Sequence, residues 1–155
     1  MPHNVCVCSI HENMLMCVSV LAKKGDFPST CRPLVNIVVC DRANQKCMHM
    51  LDIQCSDCQS VKDFYLVNID NVDTQVAWFQ WETIDRKVQK IKHEGTIAEL
   101  IDCLAKQWNT FLAHCYVKDV QSSYYEKLKR KLGPNESVVQ VDFSENYQTF
   151  HQDET

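Results

Sequence analysis

Residues 41–60 constrain the fold of this chain more than any other stretch. They are polar and show no sustained helical or strand period, and the segment bears Cys47, Cys55 and Cys58, with Cys40 at its edge. Such a segment buries too little apolar surface to offset the entropy lost on ordering it. It can fold only if something ties its cysteines together. Cys55-Ser56-Asp57-Cys58 has the C-x2-C spacing that lets two thiolates face one ion. Zn²⁺ takes four soft or borderline ligands in a tetrahedron, and a closed four-cysteine set is structural rather than catalytic. Cys40, Cys47, Cys55 and Cys58 are therefore expected to hold one structural Zn²⁺.

A second group, Cys6, Cys8 and His11, repeats the three-residue separation but falls one ligand short of a closed site. His49 and Cys31 are the candidates to complete it. Disulfides are not the expected use of the ten cysteines. The start, Met1-Pro2-His3-Asn4, is polar and unlike a signal peptide, and no apolar run approaches the length of a membrane span. An intracellular protein of the nucleus or cytoplasm is expected, in a reducing setting. Cysteine is also a common small buried hydrophobe. That is the reading for Cys17, Cys103 and Cys115, which fall among apolar residues of expected helices; for Cys31 both readings stay open.

Hydrophobic residues make up 45% of the 155 and charged ones 23%, with only three glycines and four prolines, so a packed core is expected. A net charge of −4 gives no global basic field toward nucleic acid. Two local basic stretches stand against it. Arg86, Lys87, Lys90 and Lys92 form one, and Lys127, Lys129, Arg130 and Lys131 form the other. Solvated faces, with the second complementing a helix dipole, are the simpler account, and phosphate contact is the alternative.

The chain reads as α+β in three regions: a Cys/His-rich zinc-binding part over 1–60, a helical part with a preceding β segment over 61–134, and a closing strand region over 135–155. Met14, Cys17, Val18 and Leu21 predict a helix over 12–24 ending at Gly25. Leu34 to Val39 is an apolar run too short to assign to helix or strand. Ser60 can cap a short helix, with Asp63 at its third position. Gln75 to Thr83 alternates like a strand, and Trp78, Phe79, Trp81 and Trp108 are expected in the core. Thr96-Ile97-Ala98-Glu99 is a capping box, and Ile97, Leu100, Ile101, Leu104, Trp108, Phe111, Leu112 and Cys115 then repeat at helical spacing. A second helix is expected over 119–132 and ends at Gly133-Pro134. His93 and His114 have no obvious partner at ligand spacing and receive no role; His151 lies near Asp142 in sequence, but a lone histidine by the terminus is usually a surface residue.

Val138-Val139-Gln140-Val141 runs into Asp142, with Glu145 close behind. Many metal-dependent nucleases present their first carboxylate at such a strand end, and need further carboxylates to hold two cations about 4 Å apart. An aspartate there also commonly just caps a turn.

Four elements together resemble a set of uncharacterised, transposon-derived animal proteins. They are Cys6-x-Cys8-x-x-His11-Glu12-Asn13; Val39-Cys40-Asp41 with Asn44 and Cys47; the Cys55/Cys58 knuckle; and His114, Gln121-Ser122 and Val141 to Tyr147. The resemblance runs from Cys6 to Glu154, and its closing segment is the specific part. These relatives look like DDE-type transposases with an RNase H-like core, which implies that Asp142 matches the first metal-binding acid on the first core strand. They continue past Glu154 into further strands and acids. A truncated RNase H-like core is thus the expectation for 135–155, and Asp142 would be catalytic only if the missing core were supplied. The function expected is a non-catalytic, zinc-stabilised binding module, with an unknown protein partner or DNA and no membrane. The alternative is the N-terminal fragment of a metal-dependent DDE transposase that joins DNA with Mg²⁺.

Overall fold

The computed structural model describes residues 8–49 and 55–139, without the side chain of His49. Over these residues the protein is mixed helix and a two-stranded antiparallel sheet. The chain falls into two compact units, 1–122 and 123–155.

Helix α1 (Ser9–Leu21) buries Met14, Cys17, Val18 and Leu21, the stripe that helical spacing predicts. A 3-10 turn, Ala22–Lys24, closes it. Gly25 follows with φ 179°, an extended backbone that any residue adopts, so the helix stops without a left-handed glycine cap. The ambiguous apolar run becomes helix α2 (Cys31–Val38), with Leu34, Val35 and Val38 buried on one face. Pro33 is tolerated because it lies in the first turn, where its missing N–H has no intrahelical acceptor. Helix α3 (Gln45–His49) is a single turn, and helix α4 (Val61–Asn68) begins as expected, its Ser60 hydroxyl accepting from the Asp63 amide at 3.3 Å.

Strand β1 (Gln75–Ile84) pairs antiparallel with strand β2 (Lys87–Thr96), from Gln75 opposite Thr96 to Ile84 opposite Lys87. The two turn residues, Asp85 and Arg86, have φ of 50° and 64°. A tight hairpin with right-twisted strands needs positive φ at both positions. Here it is met without glycine or asparagine, so the sequence carries no turn signal. Because side chains alternate across a strand, Trp78 and Gln80 are buried on one face while Phe79 (42% exposed) and Trp81 (37%) stand on the other. Phe79 and Trp81 are therefore not core residues, contrary to expectation; among the described residues the sheet has two strands and one covered face.

Helix α5 spans Ile97–Lys131 without interruption. Its capping box forms as the sequence predicts: the Thr96 amide donates to Glu99 Oε2 at 2.7 Å and the Glu99 amide to Thr96 Oγ1 at 3.2 Å. The two helices expected over 96–115 and 119–132 are one. Nothing between Ala113 and Lys118 breaks a helix; what changes there is burial. The buried stripe of Ile97, Leu100, Ile101, Leu104, Trp108, Phe111 and Leu112 stops, and Val117, Val120 and Tyr124 are exposed. The helix ends ahead of Gly133-Pro134, where the Gly133 amide donates to Glu136 Oε2 at 2.9 Å. Val141 to Tyr147, with Asp142 and Glu145, and His151 lie outside the described residues.

Two amides knit α1, β1 and α5. The Asn13 side chain accepts from the Trp81 amide (2.6 Å) and donates to the Trp81 carbonyl (3.0 Å). Gln80, 4% exposed, donates to the Asn13 carbonyl (3.1 Å) and to Cys17 Sγ (3.1 Å), and accepts from Gln107 Nε2 (2.9 Å). Below this junction the core is continuous from Met14 to Leu112. Trp108, 3% exposed, should be a sensitive probe of it. Trp108→Ala is expected to cost on the order of 3–5 kcal/mol in a denaturant titration. Trp108→Phe should cost less, since the indole N–H has no hydrogen-bond partner among the described residues.

Candidate metal centres

The end of α2 delivers Cys40, and two Asx turns then fold the chain back toward it. Asp41 Oδ1 accepts from the Ala43 amide (2.8 Å), and Asn44 Oδ1 accepts from the Lys46 amide (3.0 Å). These side chains start α3, which carries the buried Cys47. Cys55 and Cys58 lie in a turn closed by Cys58 N–H to the Cys55 carbonyl (3.1 Å). That turn is pinned to α2 by the Gln59 amide donating to the Val38 carbonyl at 2.8 Å. Arg42 adds a tie to α5 through Asp119, at 2.6 Å.

The result is a cluster of four thiols. Cys40 Sγ lies 3.5 Å from Cys47 Sγ, 3.6 Å from Cys55 Sγ and 3.5 Å from Cys58 Sγ, and all four sulfurs fall within 4.8 Å of one another. A tetrahedral ion with metal–sulfur bonds of about 2.3 Å sets its sulfurs about 3.8 Å apart, so the set fits a metal such as zinc. The Cys40 amide also points at Cys58 Sγ, at 3.5 Å. The proton on Cys40 is held well above the ordinary thiol range by hydrogen bonds to Cys47, Cys58 and Cys55. Cys55 is drawn the other way, chiefly by the Asp57 backbone N–H and then by Cys40.

A second group, not complete in the sequence reading, joins Cys8 and His11 to His114. Cys8 Sγ lies 3.4 Å from His11 Nδ1 and 3.4 Å from His114 Nε2. The other nitrogen of His11, Nε2, faces Cys115 Sγ at 3.6 Å. Burial lowers the His11 pKa, helped by His114 and Lys118 and opposed by Asp119. An imidazole held neutral is the ligating form. His114 comes from α5, 106 residues from Cys8, and no local spacing could have linked the two. Of the residues proposed for this site, Cys6 and the side chain of His49 lie outside the described residues. Cys31 is packed against the core instead, its thiol pushed up to about 12 by burial.

The remaining candidates have local partners. Cys17 is core, as expected. Cys103 is half-buried, its thiol drawn below the usual range by the hydrogen bond from Cys17. His93 stacks on Trp78 and meets Glu82 Oε1 at 2.7 Å. Lys90 Nζ lies 5.2 Å from the Phe79 ring centroid and 6.0 Å from that of Trp81. At the end of α5, Lys129 pairs with Glu126 at 2.7 Å. No helix among the described residues is long and apolar enough to cross a membrane.

Over residues 121–155 the chain is similar to a family model described as a domain of unknown function (DUF8701). No curated protein and no solved structure gives a match to the chain.

If the four thiols share an ion, its removal should cost the protein the folding free energy that binding supplies. A strong chelator is expected to lower the melting temperature of the wild-type protein. Cys58→Ser should show the lower temperature from the outset, and the chelator should shift that variant less than it shifts the wild type.

Proposed function

We propose that this chain is a zinc-stabilised binding module derived from a transposase, working inside the cell without catalysis of its own. The four-thiol cluster carries the reading. An all-sulfur, four-donor set suits Zn²⁺ and leaves no coordination position for substrate, which is the pattern of a structural ion. Among the described residues the groups that could hold a metal are built of thiols and imidazoles. Carboxylate sets of the kind that two-cation phosphoryl chemistry uses are not among them.

The hairpin supplies the surface offered to a partner. Phe79 and Trp81 stand exposed on one face, and the register places Lys92 opposite Phe79 and Lys90 opposite Trp81. Aromatic rings for stacking beside cations for phosphates are the elements of nucleic-acid contact. DNA is therefore the partner favoured here, with a protein partner the other outcome. The transposase origin rests on the four motifs that resemble transposon-derived proteins. The family match over 121–155 spans the Gln121-Ser122 pair and the closing segment, and brings no activity with it.

The second reading is the N-terminal part of a DDE transposase with an RNase H-like core, and the Asp142-Phe143-Ser144-Glu145 motif is what favours it. On a strand those two acids would point to opposite faces. Even if they converge, two carboxylates make a loose site for Mg²⁺, which demands near-octahedral oxygen coordination.

Three measurements test the proposal. Native mass spectrometry should show one zinc lost on changing Cys55 and Cys58 together to Ser; a metal-free, equally stable wild-type protein would refute the module. Lys90→Glu with Lys92→Glu should abolish DNA binding that already weakens steeply with salt. Supercoiled plasmid with Mg²⁺ or Mn²⁺ should stay intact. Nicking that Asp142→Asn abolishes would establish the enzyme reading instead.

A further inference from the structure

We propose that Cys8, His11 and His114 form a second metal site for a zinc-class divalent ion, with Cys115 as the hydrogen-bond acceptor that orients His11. The site is separate from the four-cysteine centre, and it does not depend on the transposase reading.

Local geometry explains how the first two donors meet. Cys8 is the N-cap of α1, in extended conformation, and His11 is the third residue of the helix. Side chains at the N-cap and three residues on converge across the first turn, which is why a serine and a glutamate form a capping box there. Here the same convergence pairs a sulfur with an imidazole. The Cys8 side chain makes no capping bond to its own helix, so the sulfur is turned to other partners. Those partners are His11 Nδ1 and His114 Nε2, both at 3.4 Å. One ion bound to a thiolate and an imidazole at ordinary bond lengths sets S and N about 3.6 Å apart. Without a cation the thiol can donate its single proton to only one of these nitrogens and must accept from the other, in two weak sulfur hydrogen bonds. A cation shared by all three donors satisfies both contacts equally.

The far side of His11 fits the same account. A metal-ligating histidine usually donates its other ring N–H to a fixed acceptor, which sets the tautomer and the ring plane. Binding through Nδ1 leaves Nε2–H aimed at Cys115 Sγ, 3.6 Å away. Phe111 holds the ring from another side by an edge contact, with centroids 5.3 Å apart. Phe111, His114 and Cys115 lie on one turn of α5, so a single helical turn supplies a ligand, an acceptor and a wall. Among the described residues three donors meet here, and the fourth tetrahedral position falls to a further ligand.

The test is metal stoichiometry on the full chain reconstituted with Zn²⁺, followed by native mass spectrometry. Wild-type protein is expected to carry two ions, and His114→Ala and Cys58→Ser one each. The ion left in Cys58→Ser should show imidazole scattering by X-ray absorption, and the ion left in His114→Ala a sulfur-only shell. Cys115→Ala should keep both ions and lose roughly 10- to 100-fold in affinity at the second site by chelator competition. Unchanged affinity would remove Cys115 from the site. One ion in the wild type, lost in Cys58→Ser and retained in His114→Ala, would overturn the second site and leave the four-cysteine centre intact. Should His114→Ala fail to fold, absorption by wild-type protein decides: nitrogen scattering supports the site, and a purely sulfur shell overturns it.

Discussion

Three sulfur atoms within 3.6 Å of a fourth have little reason to gather on their own account. Thiol–thiol hydrogen bonds are weak, and the segment that brings these together has few apolar side chains to bury; Cys47 and Met48 are its buried members among the described residues. Yet that segment joins the end of α2 to the start of α4, both of which contribute to the core. A cation among the sulfurs would supply what burial does not. It would convert four mutually disfavoured negative charges into ligands and fix the loop at four points. The Asx turns at Asp41 and Asn44 and the Gln59–Val38 bond then act as geometry, steering each sulfur to its corner.

The other half of the first unit is held by burial and by one polar junction. Helix α5 contributes an unbroken apolar stripe as far as Leu112, and α1, α2 and α4 pack their own stripes into the same core. The hairpin brings chiefly Trp78 to it. It is anchored instead through Gln80 and Asn13, whose amides satisfy backbone and side-chain groups on three elements at once. A buried amide left with half its bonds is costly, so this junction fixes the hairpin's position more sharply than apolar contact would. The opening Cys-x-Cys-x-x-His-Glu-Asn motif thereby divides its labour. Cys8 and His11 face α5, while Asn13, two residues on, faces the strand.

Much of this was legible in the chain. The capping boxes and helical stripes announce α1, α4 and the start of α5, because those signals are local. Spacing and polarity single out the four cysteines for the same reason. Three features were not legible. Strand β2 is written in Lys, Gln, Glu and His around a turn that uses Asp85 and Arg86 at positive φ, so neither propensity nor turn chemistry marks it. The unity of α5 is hidden because its apolar pattern ends where the core ends, well before the helix does. His114 has no ligand neighbour in sequence, and its partners are set by tertiary packing alone.

Asn13 has one more effect. A two-stranded sheet has two open edges, and each offers unpaired backbone groups to any other extended chain. At Trp81 the outward N–H and C=O of β1 are already taken by a side-chain amide that imitates a neighbouring strand. The other edge, β2, carries Lys87, Lys90 and Lys92, whose charges repel a second copy laid alongside. An aromatic hairpin can thus stand in water with Phe79 and Trp81 uncovered and still resist growing into a longer sheet.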